Sequence, residues 1–323
     1  QMRLRLVKEA PNFDFFKRWK IWIGLSVLLI LLSITSTVTI GLNFGIDFKG
    51  GTTIRADSSQ QIDVSKYRSA LAPLGLGDIS IAEVFDPTFD ADQNVVLIRI
   101  QSQEGQESVA ADTVMKVELA LKALAPDITF PSVESVGPKV SGELITTAAW
   151  AVIVAIVVVL IYIWLRFEWQ FAVGAVGALV HDIILTIGVF SVLQIKFDLA
   201  IIAALLTIVG YSLNDTVVVF DRVRENLRRF KKKDLAEVLN LSINETLSRT
   251  MMTSVTTLLA LISLFILGGD VIRGFVFAMI WGVVVGTYSS VFVASTTLLN
   301  LDVKRDWSKP NSTDGNQFAN IDS

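Results

Sequence analysis

Residues 148–165 read AAWAVIVAIVVVLIYIWL, 18 consecutive positions without a charged side chain. A helix rises about 1.5 Å per residue, so about 20 apolar residues cross a hydrocarbon layer of about 30 Å. Five further segments have the same character: 21–40, 171–193, 199–220, 250–267 and 274–301. The chain is 52% hydrophobic and only 18% charged, with a mean hydropathy of +0.57, whereas soluble domains carry about 25% charged residues. These runs predict an α-helical polytopic membrane protein with six transmembrane helices. The third span is broken by His181 and Asp182, and the fourth by Asp215.

Composition removes several kinds of chemistry. There is no cysteine and one histidine, which excludes disulfide frameworks, thiolate zinc sites and histidine-rich metal centres. No Gly-x4-Gly-Lys-Ser/Thr stretch occurs, so nothing points to nucleotide hydrolysis by this chain. No catalytic residue, metal or cofactor is expected. The net charge of −3 argues against a nucleic-acid partner.

Charge is unevenly spread. Residues 41–145 hold 15 acidic and 8 basic side chains, an ordinary polar domain inserted into an apolar, slightly basic framework. Lys and Arg mark the inner side of a membrane protein. An inner N-terminus puts 18 basic residues inside, against Lys196 and Arg273 in the two short outer loops. Both termini are thus expected inside: segment 1–20, and a polar, disordered tail over 302–323. The first span has too long a polar lead and no Ala-x-Ala site for a signal peptide, and reads as a retained helix. The acidic domain, 41–145, faces outward, followed by the five-helix segment 146–301.

The outer domain alternates in type. Strands are predicted over 51–56, 79–85, 94–101 and 128–136, with helices over 64–74, after Asp63 as N-cap, and 108–124. The order βαββαβ is that of a split ferredoxin-like α+β domain. No His, Asp or Glu cluster with metal spacing occurs in it.

Between the fourth and fifth spans lies a basic amphipathic segment, 221–249, in which Asp234 and Glu237 form a capping-box pair. Its expected role is a helix on anionic lipid headgroups; a docking surface for a cytosolic partner is the alternative.

Asp215 stands out among the intramembrane residues, because Asp at the centre of a bilayer helix costs about 2.5–3.5 kcal/mol even on lenient scales. Asn214 and Ser212 make its turn polar, with Tyr211 at i−4, and it reads as a protonatable relay carboxylate, an interfacial cap or a structural hydrogen bond being the alternative. Arg249 opens the fifth span above a hydroxyl stripe that includes Thr250, Thr253, Ser254 and Thr257. Pairing with Arg249 would hold Asp215 ionised, and separation would favour the neutral acid. His181 and Asp182 fit a proton relay and packing against hydroxyls of other helices equally well. Gly282 and Gly286 form a GxxxG pattern for close helix packing, within the bundle or against a partner.

Three stretches together resemble the SecF family closely. They are Phe44-Gly-Ile-Asp-Phe-Lys-Gly-Gly51, Gly210-Tyr-Ser-Leu-Asn-Asp-Thr-Val-Val-Val-Phe-Asp-Arg-Val-Arg-Glu-Asn226 and Ser242-Ile-Asn-Glu-Thr-Leu-Ser-Arg-Thr250. The likeness covers nearly the whole chain except its two ends. It implies a subunit of the bacterial Sec translocase in the cytoplasmic (inner) membrane, with a resistance-nodulation-division (RND)-like bundle and a periplasmic outer domain. It also implies SecD and the SecY-E-G channel as partners, YajC as a further candidate, unfolded polypeptide as cargo and protons as the driving ion. By the same resemblance Asp215 is a proton-pathway residue and Arg249 its basic counterpart.

Two other classes remain open from sequence. One is a solute or lipid exporter of the same superfamily, which commonly carries two six-helix halves. The other is a non-transporting scaffold in which Asp215 is structural. A hydrolase lacks its Gly-x-Ser-x-Gly or His-Glu-x-x-His motif.

Overall fold

The computed structural model describes residues 13–77, 79–87, 89–90, 93–101, 111–301 and 303. Segment 1–12, the helix start expected at 108 and the tail expected from 302, Val303 apart, lie outside these.

Among the described residues six helices are long and apolar enough to cross a membrane. They are α1 (Trp19–Thr39), α5 (Pro138–Arg166), α6 (Trp169–Leu193), α7 (Leu199–Arg229), α8 (Leu235–Leu267), and α9 (Asp270–Ser289), which continues through a π-helical turn, Ser290–Ala294, into α10 (Ser295–Asn300). The π turn adds one residue to the helical repeat and rotates all that follows. Helices α6 and α9 lie inside the bundle, whereas α1, α5 and α8 show most of their apolar surface.

The basic segment is not the separate lipid-facing helix expected from sequence. Helix α7 runs 31 residues and α8 33, roughly 46–50 Å each and longer than a hydrocarbon layer. Only the turn 230–234 separates them. The apolar side expected to meet headgroups, Leu235, Val238, Leu239 and Ile243, is buried against Val219, Phe220, Val223 and Leu227 of α7. Polar contacts fasten the same ends: Glu245 Oε2 accepts from Arg222 Nε at 2.6 Å and from Asn226 Nδ2 at 2.7 Å. Asp234 caps α8, accepting from Ala236 N at 3.3 Å. Charged residues interrupted the hydropathy here without interrupting the helix.

Between α1 and α5 stands the α+β domain. After a short helix α2 (Ile46–Lys49), the chain forms β1 (Gly51–Ser58), α3 (Val64–Leu71), β2 (Ile79–Val84), β3 (Asn94–Gln101), α4 (Ala111–Leu124) and β4 (Thr129–Val136). The sheet is antiparallel in the order β2-β3-β1-β4, with Ile54 opposite Ile98 and Val133. Alternation sends Ile54, Ala56, Val96, Ile98 and Ile100 into a core closed by Tyr67 and Leu71 of α3 and Val117 and Leu121 of α4. Asp63 accepts from Ser65 N at 2.7 Å, and these Ser65 contacts hold its carboxyl below the usual range.

The Gly-Gly pair marks the passage from membrane to domain. Gly50 and Gly51 have φ of +73° and +135°, and a Cβ on Gly51 would run into the Ile100 carbonyl oxygen. Just before them, Asp47 Oδ2 accepts from Leu199 N at 3.0 Å, capping α7. Phe44 and Phe197 form a parallel bridge, and Phe44, Phe48, Phe190 and Phe197 cluster around it with ring centroids 5.7–6.1 Å apart.

This core is complete without the bundle. Residues 48–140 expressed alone should give a soluble protein with a cooperative thermal transition. In that fragment Ile98→Ala should cost about 2–5 kcal/mol, and Val133→Ala on the exposed face within about 0.5 kcal/mol, both read by urea unfolding.

Candidate proton-relay site

Two intramembrane carboxylates have opposite surroundings. Asp182, in the middle of α6, has 0% exposure. Its Oδ2 accepts from Ser212 Oγ of α7 at 2.7 Å and from Ser289 Oγ of α9 at 2.8 Å, and its Oδ1 lies 2.9 Å from His181 Nδ1. A buried carboxylate without partners would cost several kcal/mol; here three groups surround it. Hydroxyls from two other helices thus hold Asp182, with His181 on its other oxygen.

The network continues to α1. The His181 ring stacks on Tyr288 with centroids 6.0 Å apart. The Tyr288 hydroxyl donates to the Trp22 carbonyl and contacts Ser26 Oγ, both at 2.9 Å. His181 Nε2 is buried with no hydrogen-bond partner. Ser289 immediately precedes the π turn, a geometry frequent at functional sites.

The GxxxG pair serves this same contact. A Cβ on Gly286 would stand 3.2 Å from Ser212 Cβ, and one on Gly282 would collide with the Ile208 side chain. Both glycines therefore face α7 from α9, within the bundle.

Asp215 lies farther along α7 from Ser212. It is 3% exposed, and its Oδ2 has no hydrogen-bond partner. The Thr253 hydroxyl and the Arg249 guanidinium on α8 are the groups that bear on it. Arg249 itself is exposed, and among the described residues it makes no ion pair with Asp215. The close pair pictured from sequence is thus not formed in this conformation. Tyr211 Oη and Thr250 Oγ1 are likewise buried and unpartnered. Asn214 is exposed and Thr257 half-buried, while Thr253 Oγ1 donates to the Thr250 carbonyl at 2.9 Å and Ser254 Oγ meets Thr287 Oγ1 of α9 at 2.7 Å. The α7–α8 side of the bundle therefore carries polar atoms in need of partners.

Tyr288, Ser289 and Ser26 were not singled out from sequence. The only local signal for them is the Tyr288-Ser289-Ser290 tripeptide just after Gly286, an unusually polar turn in an apolar run.

Comparison with known proteins follows these features. The family described as "Protein export membrane protein SecD/SecF, C-terminal" matches residues 116–304, and the "SecD/SecF GG Motif" matches 35–62. The chain is 59% identical over 320 residues to the protein translocase subunit SecF of Cereibacter sphaeroides, covering 99% of both chains. It is 58% identical to that of Rhodobacter capsulatus, over 97% of this chain and 96% of the other. Among solved structures it resembles SecDF, a translocon-associated membrane protein from Thermus thermophilus, with a TM-score of 0.80 and 35% identity. That likeness covers 94% of this chain and 40% of the SecDF chain. A super-membrane-facing form of SecDF gives a TM-score of 0.68 at 36% identity, over 93% of this chain and 40% of that one.

Close approach of α9 to α7 can be tested directly. Gly282→Val should lower the unfolding temperature of the detergent-solubilised protein, by the equivalent of about 1–3 kcal/mol for overpacking. Adding Ile208→Ala should restore part of it. Gly177→Val, where a Cβ meets nothing within 4 Å, should have little effect.

Proposed function

The chain belongs to the SecD/SecF family of protein-export membrane proteins, and on that premise we propose that it acts as the SecF-type subunit of the Sec preprotein translocase, working with SecD to promote export driven by the proton gradient. The observation that carries the coupling part of this reading is Asp215, a buried carboxylate with an unpartnered oxygen beside Thr253 and Arg249. A carboxylate drawn to Arg249 stays ionised, and one moved away from it in a dry site accepts a proton. Two arrangements of α7 against α8 would then differ in proton occupancy, and alternating between them couples proton flow to shape.

The outer domain is tied to this helix. Asp47, at the root of β1, caps α7, so a shift of α7 is passed to the domain. In this reading the domain lies in the periplasm, both termini are cytoplasmic and the membrane is the bacterial inner membrane; the distribution of Lys and Arg supports it. The exposed Lys231 and Lys232 at the α7–α8 turn supply the attraction for anionic headgroups. SecD is the first partner, because the solved SecDF chain contains this fold as 40% of its length. The exposed Asn214 and Arg249 suit a protein face completed by that partner. SecY-E-G, YajC and the unfolded polypeptide belong to the same proposed assembly.

The test is export into proteoliposomes holding this chain, SecD and SecY-E-G, with and without a proton gradient. Asp215→Asn should assemble normally and lose the gradient-dependent stimulation, at least tenfold. Arg249→Met should do the same, and Arg249→Lys should keep part of the activity. Full gradient-dependent export by an assembled Asp215→Asn protein would refute the relay.

A further inference from the structure

The face of the sheet opposite α3 and α4 does not look into solvent alone. Strand alternation turns Leu97 and Arg99 of β3 and Ala82 and Val84 of β2 away from the domain core and towards the ends of the membrane helices. Between them lies a cavity of about 540 Å³, closed on the other side by Ile195, Lys196, Asp198 and Ala200 and by the α8–α9 tip. A second cavity of about 190 Å³ adjoins it, shares Arg99 and Lys196, and adds Lys49.

Cations dominate the polar half. Lys49, Arg99, Lys196 and Arg273 line the two cavities, against Glu83 and Asp198. The nearest countercharge is loosely held, with Lys196 Nζ 3.9 Å from Asp198 Oδ2. Arg99 Nε is buried without a hydrogen-bond partner. Burial pushes the Arg99 guanidinium below its usual value, against Asp198 and Asp47, and burial together with the Arg99 charge does the same to the Lys196 ammonium, against Asp198, Asp47 and Glu134. Two half-buried cations, one with an unused donor, stand on opposite walls of one space.

The other half is apolar and lies beside exposed apolar residues at the α8–α9 tip. Phe265, Val271, Phe275 and Phe277 line it, and the Arg273 guanidinium lies 6.0 Å from the centre of the Phe265 ring. Val271 is 73% exposed, and Ile266 and Leu267 beside it are exposed as well. A charged roof over an apolar wall that continues along lipid-facing helix ends fits an amphiphile with an anionic head. A free anion would use only the roof.

We propose that this junction binds the phosphate headgroup of an anionic phospholipid from the leaflet on the side of the α+β domain. The phosphate sits between Arg99 and Lys196, and the acyl chains leave along Val271 and the α8–α9 tip. Bound there, the lipid bridges the sheet to the loop that leads into α7.

The test uses the full chain in phosphatidylcholine nanodiscs with increasing phosphatidylglycerol. Acetylation of Lys196 should fall severalfold as phosphatidylglycerol is added and stay constant in phosphatidylcholine alone; unchanged acetylation in wild type would overturn the proposal. Native mass spectrometry should find one retained phosphatidylglycerol per chain. Retention should drop at least tenfold in Arg99→Gln/Lys196→Gln and persist in Arg99→Lys and in Lys231→Gln/Lys232→Gln. Equal retention by the Arg99→Gln/Lys196→Gln protein would refute the site. Inorganic phosphate should not displace the lipid at millimolar concentration; displacement at matched affinity would identify a plain phosphate site instead and also sink the proposal.

Discussion

A carboxylate with no exposed surface sets how this bundle closes. Asp182 accepts hydrogen bonds from the Ser212 and Ser289 hydroxyls, so α6, α7 and α9 must meet at one level and in one rotation. In hydrocarbon there is no water to replace a lost partner, which makes the arrangement far less forgiving than a leucine contact would be. The glycines at 282 and 286 and the π turn after Ser289 are the backbone terms of the same requirement. They allow α9 to come near α7 and re-aim the residues beyond.

That constraint gives Asp215 its setting. Ser212 is held and Asp215 is not, although both are on one helix. Asp182 Oδ2 has two hydroxyl partners, whereas Asp215 Oδ2 has none among the described residues. The two ends of α7 are held as well. One end meets Asp47 and the α+β domain; the other is locked to α8 by Arg222, Asn226 and Glu245. Asp215 and the contact to the α+β domain thus lie on one helix.

The six spans and the βαββαβ order were legible because they rest on local patterns: charge-free length and strand alternation. The extensions of α7 and α8 were not, because charged residues end a hydropathy run without ending a helix. Partners across helices were harder still. Nothing in the spacing of Gly282 and Gly286 says whether the facing helix is α7 or another chain, and nothing near Asp182 names Ser289, more than a hundred residues on. The Asp215–Arg249 pair was an expectation from residue types alone, and the structure leaves it open. Its open geometry depends on how α8 is rotated, which no local pattern records.

The central proposal is a division of labour, with Asp215 carrying the proton and Asp182 holding α6, α7 and α9 together. Acid–base difference infrared spectroscopy of the membrane-reconstituted chain with its SecD partner measures it directly, through the carbonyl stretch of a protonated carboxyl group. The account predicts that acidification produces such a band, that Asp215→Asn abolishes it, and that the wild-type band is unaltered in a Ser289→Ala protein. A band that persists in full in the Asp215→Asn protein would contradict it.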